Sequence, residues 1–218
     1  MNQADKADRA GKAVNEVRGA IIAGGEGSRL GGRPKGLELV GGKRMLDRLV
    51  EAFEAALGRA PALIANAPDA VHWRSGLQVI PDLRPGLGAL GGIYTAVRAG
   101  PGGVVCVAWD MPFVPSGLIR ALAKGLESWD ACLPRSTGPR GLEPLCAAYG
   151  PACAAAIEAR LAAGDLRAVG FHEAVKIGIL RPEEIQQFGD PALLFFNVNT
   201  ADDLAEADEL WRRHGSSR

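Results

Sequence analysis

The stretch AIIAGGEGSRLGGRPKG, residues 20–36, indicates the fold class and gives the first evidence on function. It begins with an apolar run, which predicts a short strand covered on both faces. The loop that follows carries six glycines together with Arg29 and Lys35. A turn needs one or two glycines, whereas a loop that wraps a polyphosphate with its own N–H groups uses many, because side chains would block close approach. The stretch therefore predicts a strand followed by an anion-binding loop.

Two well-known nucleotide-binding motifs do not fit this loop. A dinucleotide fingerprint needs G-x-G-x-x-G, and Leu30 stands where the third glycine belongs. A Walker P-loop needs Ser or Thr directly after its lysine, and here Gly36 follows Lys35. A glycine-rich turn without a ligand stays open as the alternative to a phosphate-binding loop.

Strands and helices alternate along most of the chain, which is typical of a parallel sheet with helices on both faces. The predicted fold class is therefore α/β, a three-layer α/β/α domain around a Rossmann-like, mostly parallel sheet. Apolar runs predict the strands GAIIA, PALIA, GLQVI, GVVCVA, 131–133, LCAAYG, AVKIGIL and LFFNVNT. Helical spacing predicts helices over RMLDRLVEAFEAAL, 94–97, 116–124 and CAAAIEARLAAG, and a last helix capped by Thr200 and Asp203. Residues 82–92 are expected to form a glycine-rich loop.

Composition limits both the domain organisation and the partners. Residues 1–18 are polar and alanine-rich, which predicts a mobile leader, and residues 19–214 are expected to form one domain. The 25 basic and 25 acidic residues are interspersed, so nothing favours nucleic acid or a membrane surface. No run is apolar enough to span a bilayer and no signal peptide is evident, which predicts a cytoplasmic protein. The four cysteines form no CxxC pair and are interpreted as reduced structural thiols.

The opening loop resembles the signature of the nucleotidyltransferases with a GT-A-like fold. The resemblance rests on Ala23-Gly24-Gly25, on Arg29 and on Gly31-Gly32-Arg33-Pro34-Lys35. Within that group the chain is most similar to the molybdenum cofactor guanylyltransferases, the molybdopterin-guanine dinucleotide synthesis protein A family. Further matches are VIPD with the following GLGALGG, WDMPF, EPLCAAY and FFNVNT.

The resemblance implies the reaction and the site. It implies transfer of GMP from GTP to molybdopterin or its molybdenum-bound form, with Mg²⁺ and release of pyrophosphate. The N-terminal half of the domain would bind GTP and the C-terminal half the acceptor. The implied GTP-binding residues are Ile22, Ala23, Gly24, Gly25, Lys35, Asn66, Asp82, Gly88 and Asp110, with Lys35, Arg29 and Asp110 as the catalytic set. The implied acceptor-binding residues are Asn197 and Asn199, and the expected partners are molybdenum-insertion and molybdoenzyme-maturation proteins around a monomeric enzyme.

The chemistry of individual residues agrees with these roles, with alternatives at each. Asp110 directly follows a buried strand, where a carboxylate can bind a hard cation such as Mg²⁺, or else form a turn. Asp82 can accept hydrogen bonds from guanine or cap the turn at Pro81. Asn197 and Asn199 would share one face of a strand and contact the acceptor, or else cap the last helix. Gly86, Gly88, Gly91 and Gly92 are expected to keep the loop after Asp82 thin enough for a flat base.

The chain also departs from the family pattern. Trp109 replaces a small residue or a cysteine before the aspartate, and Glu143 stands where the family often has histidine. Pro34 stands where the guanylyl group often has aspartate, whereas sugar and cytidylyl transferases often have Pro-Lys there. A cytidylyl- or sugar-phosphate nucleotidyltransferase therefore stays open as an alternative, and so does a nucleotide-binding protein without catalytic activity.

Overall fold

A seven-stranded sheet forms the centre of the protein in a computed structural model that describes residues 17–24, 29–30, 32–136 and 141–214. Its strands are β1 (Arg18–Ile22), β6 (Ala62–Ile64), β7 (Val79–Ile80), β8 (Val104–Ala108), β9 (Ala131–Pro134), β10 (Cys146–Tyr149) and β11 (Ile177–Leu180). They lie in the order β11-β9-β10-β8-β1-β6-β7. Only β10 runs against its neighbours, and all other pairings in this sheet are parallel. The predicted mostly parallel sheet is confirmed.

Helices cover both faces of this sheet. The helices of the described residues are α1 (Met45–Leu57), α2 (Gly88–Arg98), α3 (Ser116–Gly125), α4 (Cys153–Ala162), α5 (Pro182–Gln186), α6 (Pro191–Leu194) and α7 (Ala201–His214). Helices α1 and α3 pack on one face and α2 and α4 on the other, each against its own buried apolar cluster. This arrangement confirms the three-layer α/β/α class. None of the described helices is long and apolar enough to span a membrane.

Strand β8 shows why the sheet is buried on both sides. Its five residues, VVCVA, are all buried. Because side chains alternate along a strand, Val105 and Val107 join the cluster under α1 and α3, whereas Val104 and Cys106 join the cluster under α2 and α4. This strand is apolar at every position, and it lies in the middle of the sheet, where it pairs with β1.

A third apolar cluster attaches the C-terminal helix α7 to the carboxyl side of the sheet. It contains Val40, Val198 and Ala207, together with Met45 at the start of α1 and Phe113 in the segment after β8. The short hairpin formed by β4 (Leu39–Val40) and β5 (Lys43–Arg44) carries part of this contact. The cluster places the beginning of α7 close to the residues that follow β8, where Val198 N donates to the Asp110 carbonyl at 2.9 Å.

The ring of Trp211 fixes α7 on the β4–β5 hairpin. A side chain at Gly41 would overlap this ring, and Gly41 has a φ of +58°, so glycine is required there for two reasons. The Arg48 guanidinium also lies over this ring, with its Cζ 3.5 Å from the ring centre. Gly41 N also donates to Asp208 Oδ1 at 2.6 Å.

Several local predictions are wrong. The segment LFFNVNT is not a strand, because α6 ends at Leu194 and the chain from residue 195 to 200 is irregular, with Val198 N bonded to Asp110 instead of to a sheet neighbour. The expected loop 82–92 is too long, since α2 begins at Gly88 and contains Gly91 and Gly92.

Other elements lie outside the predicted boundaries. Strand β1 begins at Arg18 and Val17 is 3% exposed, so the domain begins before residue 19, and residues 1–16 of the expected leader lie outside the described residues. The short hairpins β2–β3 (Arg29–Leu30 and Arg33–Pro34) and β4–β5 were not predicted, because two-residue strands have no recognisable periodicity.

Candidate active site

The carboxyl ends of four parallel strands finish in one row, and the predicted site residues follow this row. Ile22 is the register partner of both Ala108 and Ile64, and Ile64 is the partner of Ile80. Two residues beyond the ends of β1, β6, β7 and β8 stand Gly24, Asn66, Asp82 and Asp110. The four therefore lie along one edge of the sheet, on both sides of the β1–β8 boundary where the strand order reverses, which is where open α/β sheets bind ligands.

Asn66 and Asp82 form a closed pair at one end of this row. Asn66 Nδ2 donates to Asp82 Oδ2 at 2.7 Å, and Asp82 N donates to Asn66 Oδ1 at 2.8 Å. A Cβ atom placed on Gly24 would lie 3.8 Å from Asp82 Oδ2, so the exposed Gly24 backbone runs close to this carboxylate without touching it. The pair holds a carboxylate next to a glycine at the end of β1.

Thr95 supports Asp82 from beneath. It is 1% exposed, and its hydroxyl accepts from Leu83 N at 3.0 Å, donates to the Gly91 carbonyl at 2.9 Å and lies 3.4 Å from Asp82 Oδ1. A buried hydroxyl with partners on both the loop and helix α2 fixes where the loop leaves β7. Gly92 allows α2 to lie close to the end of β1, since a Cβ on Gly92 would lie 2.9 Å from Ile22 Cγ2.

Lys35 is buried in a short 3-10 turn, Lys35–Leu37. It is 5% exposed, and its Nζ donates to Asn199 Oδ1 at 2.7 Å across 164 residues of sequence. A lysine this deeply buried needs partners for its charge. Its charge acts on two carboxylates: it offsets part of the rise that burial causes in the pKa of Asp110, and it adds slightly to the lowering of the pKa of Asp203 by hydrogen bonds from Asn199 N and Thr200 N.

Asp110 is a carboxylate under two opposing influences. Burial raises its pKa above the ordinary aspartate value, and the nearby Lys35 charge partly opposes this rise. A bound cation would relieve the cost of keeping the ionised carboxylate out of water. Within the described residues no group of three or more His, Cys, Asp or Glu side chains could hold a metal. Asp110 thus fits a cation such as Mg²⁺, which takes one or two carboxylates and completes its shell with water and phosphate oxygens.

The segment before α7 positions Asn199. Asp203 accepts from Asn199 N and from Thr200 N, both at 2.8 Å, and Thr200 Oγ1 accepts from Asp203 N at 3.1 Å. This reciprocal cap confirms the predicted start of the last helix. It also fixes the backbone of Asn199, the residue that binds Lys35.

Some predicted site residues do not join this arrangement. Asn197 donates to the Phe195 carbonyl at 2.8 Å, which is local capping, and without a strand it shares no face with Asn199. Two backbone groups of Ile22 and Ala23 are already bonded to neighbouring strands: Ile22 O accepts from Trp109 N, and Ala23 N donates to Ile64 O. Gly88 opens α2 with a φ of +59°.

Two further predicted site residues lie partly or wholly outside the part of the chain that the structure describes. Arg29 pairs with Pro34 in the β2–β3 hairpin, and its side chain lies outside the described part of the chain, as does Gly25. Sequence reasoning also missed the roles of Thr95 and Asp203 in fixing Asp82 and Asn199. Only Asp203 gave a signal, as the capping partner of Thr200.

The comparisons with known proteins identify the family of the chain. Residues 19–176 match the family of the MobA-like NTP transferase domain. A probable molybdenum cofactor guanylyltransferase of Pelotomaculum thermopropionicum is 34% identical over 194 residues, which are 88% of this chain and 92% of the relative. The molybdenum cofactor guanylyltransferase of Cereibacter sphaeroides is also 34% identical, over 201 residues that cover 89% of this chain and 97% of the relative.

A solved structure shares the fold of this chain. The molybdopterin-guanine dinucleotide biosynthesis protein A of Archaeoglobus fulgidus superposes with a TM-score of 0.76 at 27% identity, covering 90% of this chain and 99% of that one. Its similarity covers a larger share of the chain than residues 19–176. The chain therefore belongs to the MobA-like NTP transferase family and is a nucleotidyltransferase of molybdenum cofactor biosynthesis.

Proposed function

We propose that the protein transfers GMP from GTP to molybdopterin, forming molybdopterin guanine dinucleotide and releasing pyrophosphate. The observation that carries the proposal is the placement of two different groups along one sheet edge. The Asn66–Asp82 pair offers hydrogen-bond acceptors, and the Lys35–Asn199 pair with Asp110 offers a buried charged centre. The names of the relatives support GTP and molybdopterin as the substrates. The proposed setting is a monomeric enzyme in the cytoplasm.

The choice of guanine follows from the chemistry of Asp82. Guanine presents two adjacent donors, N1–H and the N2 amino group, which a carboxylate can accept together. Each carboxylate oxygen accepts more than one hydrogen bond, so Asp82 can bind the base while it stays bonded to Asn66 and close to Thr95. Adenine and cytosine have an acceptor at the matching ring nitrogen, which would face the carboxylate unpaired. Two acceptors that face each other without a hydrogen between them weaken binding of the wrong base.

The phosphates and the acceptor would meet at Lys35. Its ammonium has three N–H donors, of which Asn199 takes one; among the described residues the other two have no partner, and they would bind oxygens of the α-phosphate and of the acceptor phosphate. The acceptor phosphate is already a nucleophile, so catalysis consists of bringing two anions together and stabilising the charge that develops between them. Arg29 is proposed to hold the β- and γ-phosphates together with the loop backbone. Mg²⁺ on Asp110 would supply charge neutralisation at the α-phosphate and the leaving pyrophosphate.

Nucleotide binding and pyrophosphate release test the proposal. The purified protein is titrated by calorimetry with GTP, CTP and ATP, with and without Mg²⁺, and pyrophosphate is then measured after molybdopterin is added. We expect Mg²⁺-dependent binding that is selective for GTP, with pyrophosphate formed only when the acceptor is present. The variant Asp110→Ala should lose the Mg²⁺ dependence.

Two results would contradict the proposal in different ways. A preference for CTP would make the protein a cytidylyltransferase of the same fold. Selective GTP binding without pyrophosphate release, with the acceptor present, would make it a binding protein instead of an enzyme for this reaction.

A further inference from the structure

The indole of Trp109 lies directly under the turn that carries Lys35. Trp109 is 3% exposed and stands between the end of β8 and Asp110. A Cβ atom built on Gly36 would lie 2.5 Å from Trp109 Cε3 and 3.1 Å from Cδ2, so the Gly36 backbone rests on the ring and leaves no space for a side chain. Trp109 therefore touches the residue next to Lys35 and is the chain neighbour of Asp110.

The indole of Trp109 is also held in place by the core. Trp109 stacks on Trp73 with ring centres 5.1 Å apart and an interplanar angle of 26°. Trp73 Nε1 in turn donates to Asp69 Oδ2 at 3.1 Å, and Arg44 Nη1 donates to the Trp73 carbonyl at 2.8 Å. The backbone of Trp109 is fixed as well, since its N donates to the Ile22 carbonyl at 3.1 Å. The ring is thus a rigid support for anything that packs on it.

We propose that Trp109 is a positioning residue, whose indole sets the place of Lys35 relative to Asp110. Two contacts then define the lysine: Asn199 holds its Nζ at one end and Trp109 holds its backbone turn at the other. Catalysis by charge stabilisation depends on such placement, because a displacement of about 1 Å can cost about 10²-fold in rate. The inference rests on the proposed function, in which Lys35 binds the reacting phosphates and Asp110 the metal.

A matched control separates this role from simple core packing. Phe53 is fully buried in the same apolar cluster as Trp109, and a Cβ on Gly19 would lie 2.5 Å from Phe53 Cδ1. The Phe53–Gly19 contact is therefore the same kind of contact as Trp109–Gly36, an aromatic ring against a glycine backbone. It lies at the amino end of β1, away from the row of strand ends that carries the site.

The first experiment compares Trp109→Leu with Phe53→Leu. Both variants lose a buried aromatic ring, so both should unfold at lower temperature. Only Trp109→Leu should lower kcat for pyrophosphate release, by about 10²-fold, with KM for GTP changed less than about threefold, because the indole positions Lys35 without binding the base. Trp109→Phe keeps a flat ring under Gly36 and should recover most of the activity. Equal kcat losses in Trp109→Leu and Phe53→Leu would overturn the proposal.

A double-mutant cycle tests the contact itself. Gly36 does not have a positive φ, so in Gly36→Ala the added methyl group acts through space alone. In the presence of Trp109 it should push the turn away and lower kcat. In the Trp109→Leu background the same methyl group has room, so Gly36→Ala should cost less there or restore activity. Costs that simply multiply would show that the two residues do not interact.

A chemical readout keeps the inference separate from the proposed function. Lys35 is buried and bonded to Asn199, so an amine-reactive acylating reagent should modify it slowly, as measured by mass spectrometry of its peptide. Labelling of Lys35 should increase at least tenfold in Trp109→Leu, and it should stay at the wild-type rate in Phe53→Leu. This measurement needs no substrate. If the wild type forms no product from GTP but the labelling behaves as expected, the proposed function fails and the positioning role stands. Equal labelling in both variants would overturn the positioning role whatever the activity.

Discussion

The two ends of the candidate site are built in different ways. On the base side, defined as Gly24, Asn66, Asp82 and Thr95, the Asn66–Asp82 pair joins residues 16 positions apart on the loops after neighbouring strands. On the phosphate side, defined as Lys35, Asp110, Asn199 and Asp203, the Lys35–Asn199 contact joins residues 164 positions apart. The parallel register of the sheet brings Gly24, Asn66 and Asp82 together, whereas the phosphate side also needs helix α7 to pack on the sheet.

The two sides also differ in their exposure to water. Asn66 is exposed and Asp82 is half-buried, so the base side can bond its own groups and still meet a ligand. Lys35 is almost completely buried, and burial raises the pKa of Asp110. Charges kept out of water interact more strongly than charges in water. The base side is therefore suited to recognition and the phosphate side to charge stabilisation, so variants of the two sides should affect different kinetic constants.

The largest effect is expected from Lys35→Met, which keeps the length of the side chain and removes its charge. Loss of a charge-stabilising group of this kind costs about 10²–10³-fold in kcat, and KM for GTP should change much less. Steady-state pyrophosphate release measures both constants. The control is Lys43→Met, because Lys43 forms an exposed ion pair with Glu51 away from the site. A Lys35→Met enzyme with more than a fifth of the wild-type kcat would remove Lys35 from the mechanism.

A smaller effect, on the other constant, is expected from Asp82→Asn. Hydrogen bonds to a charged group contribute about 1.5–3 kcal/mol, so KM for GTP should increase by about 10–10²-fold while kcat is largely kept. Competition between GTP, ATP and CTP measures the loss of base selectivity. Asp69→Asn is the control, since Asp69 accepts from Trp73 Nε1 and does not belong to the base side. Unchanged selectivity in Asp82→Asn would move guanine recognition to the loop carbonyls.

The sequence predicted the residues that follow the strand ends better than the contact between Lys35 and Asn199, for a physical reason. A buried apolar strand followed by a polar residue is visible in the sequence, and parallel strands bring such residues together at one edge, so Asp82 and Asp110 could be placed from the pattern. The mutual bond between Lys35 and Asn199 had no such signal. It depends on how α7 packs. The segment before α7 was wrongly predicted as a strand, because its apolar residues pack in two different clusters: Leu194 and Phe195 under α1 and α3, and Phe196 and Val198 in the third cluster.

Thr95→Val tests how strongly the base side depends on its support. The valine fills the same space but leaves Leu83 N without its acceptor, and a lost hydrogen bond costs about 0.5–1.5 kcal/mol of stability. KM for GTP should increase only about threefold to tenfold, because Asp82 keeps its bonds to Asn66 and loses one neighbour out of several. Thr95→Ser retains the hydroxyl and should behave like the wild type. The result that contradicts this view is a normal thermal midpoint and a normal KM in Thr95→Val.

The smallest effect concerns stability, and its sign distinguishes two carboxylates of the phosphate side. Burial raises the pKa of Asp110, so the folded protein binds this proton more tightly than the unfolded chain, and the carboxylate costs stability as the pH rises through its folded pKa. Hydrogen bonds from Asn199 N and Thr200 N lower the pKa of Asp203, so its carboxylate contributes stability that is lost as the pH falls through its folded pKa. At pH 7.5 thermal unfolding should therefore show Asp110→Asn above the wild type and Asp203→Asn below it, and both differences should shrink in acid. If Asp110→Asn unfolded at a lower temperature than the wild type at pH 7.5, its carboxylate would stabilise the fold, and the phosphate side would need no metal ion to balance a buried charge.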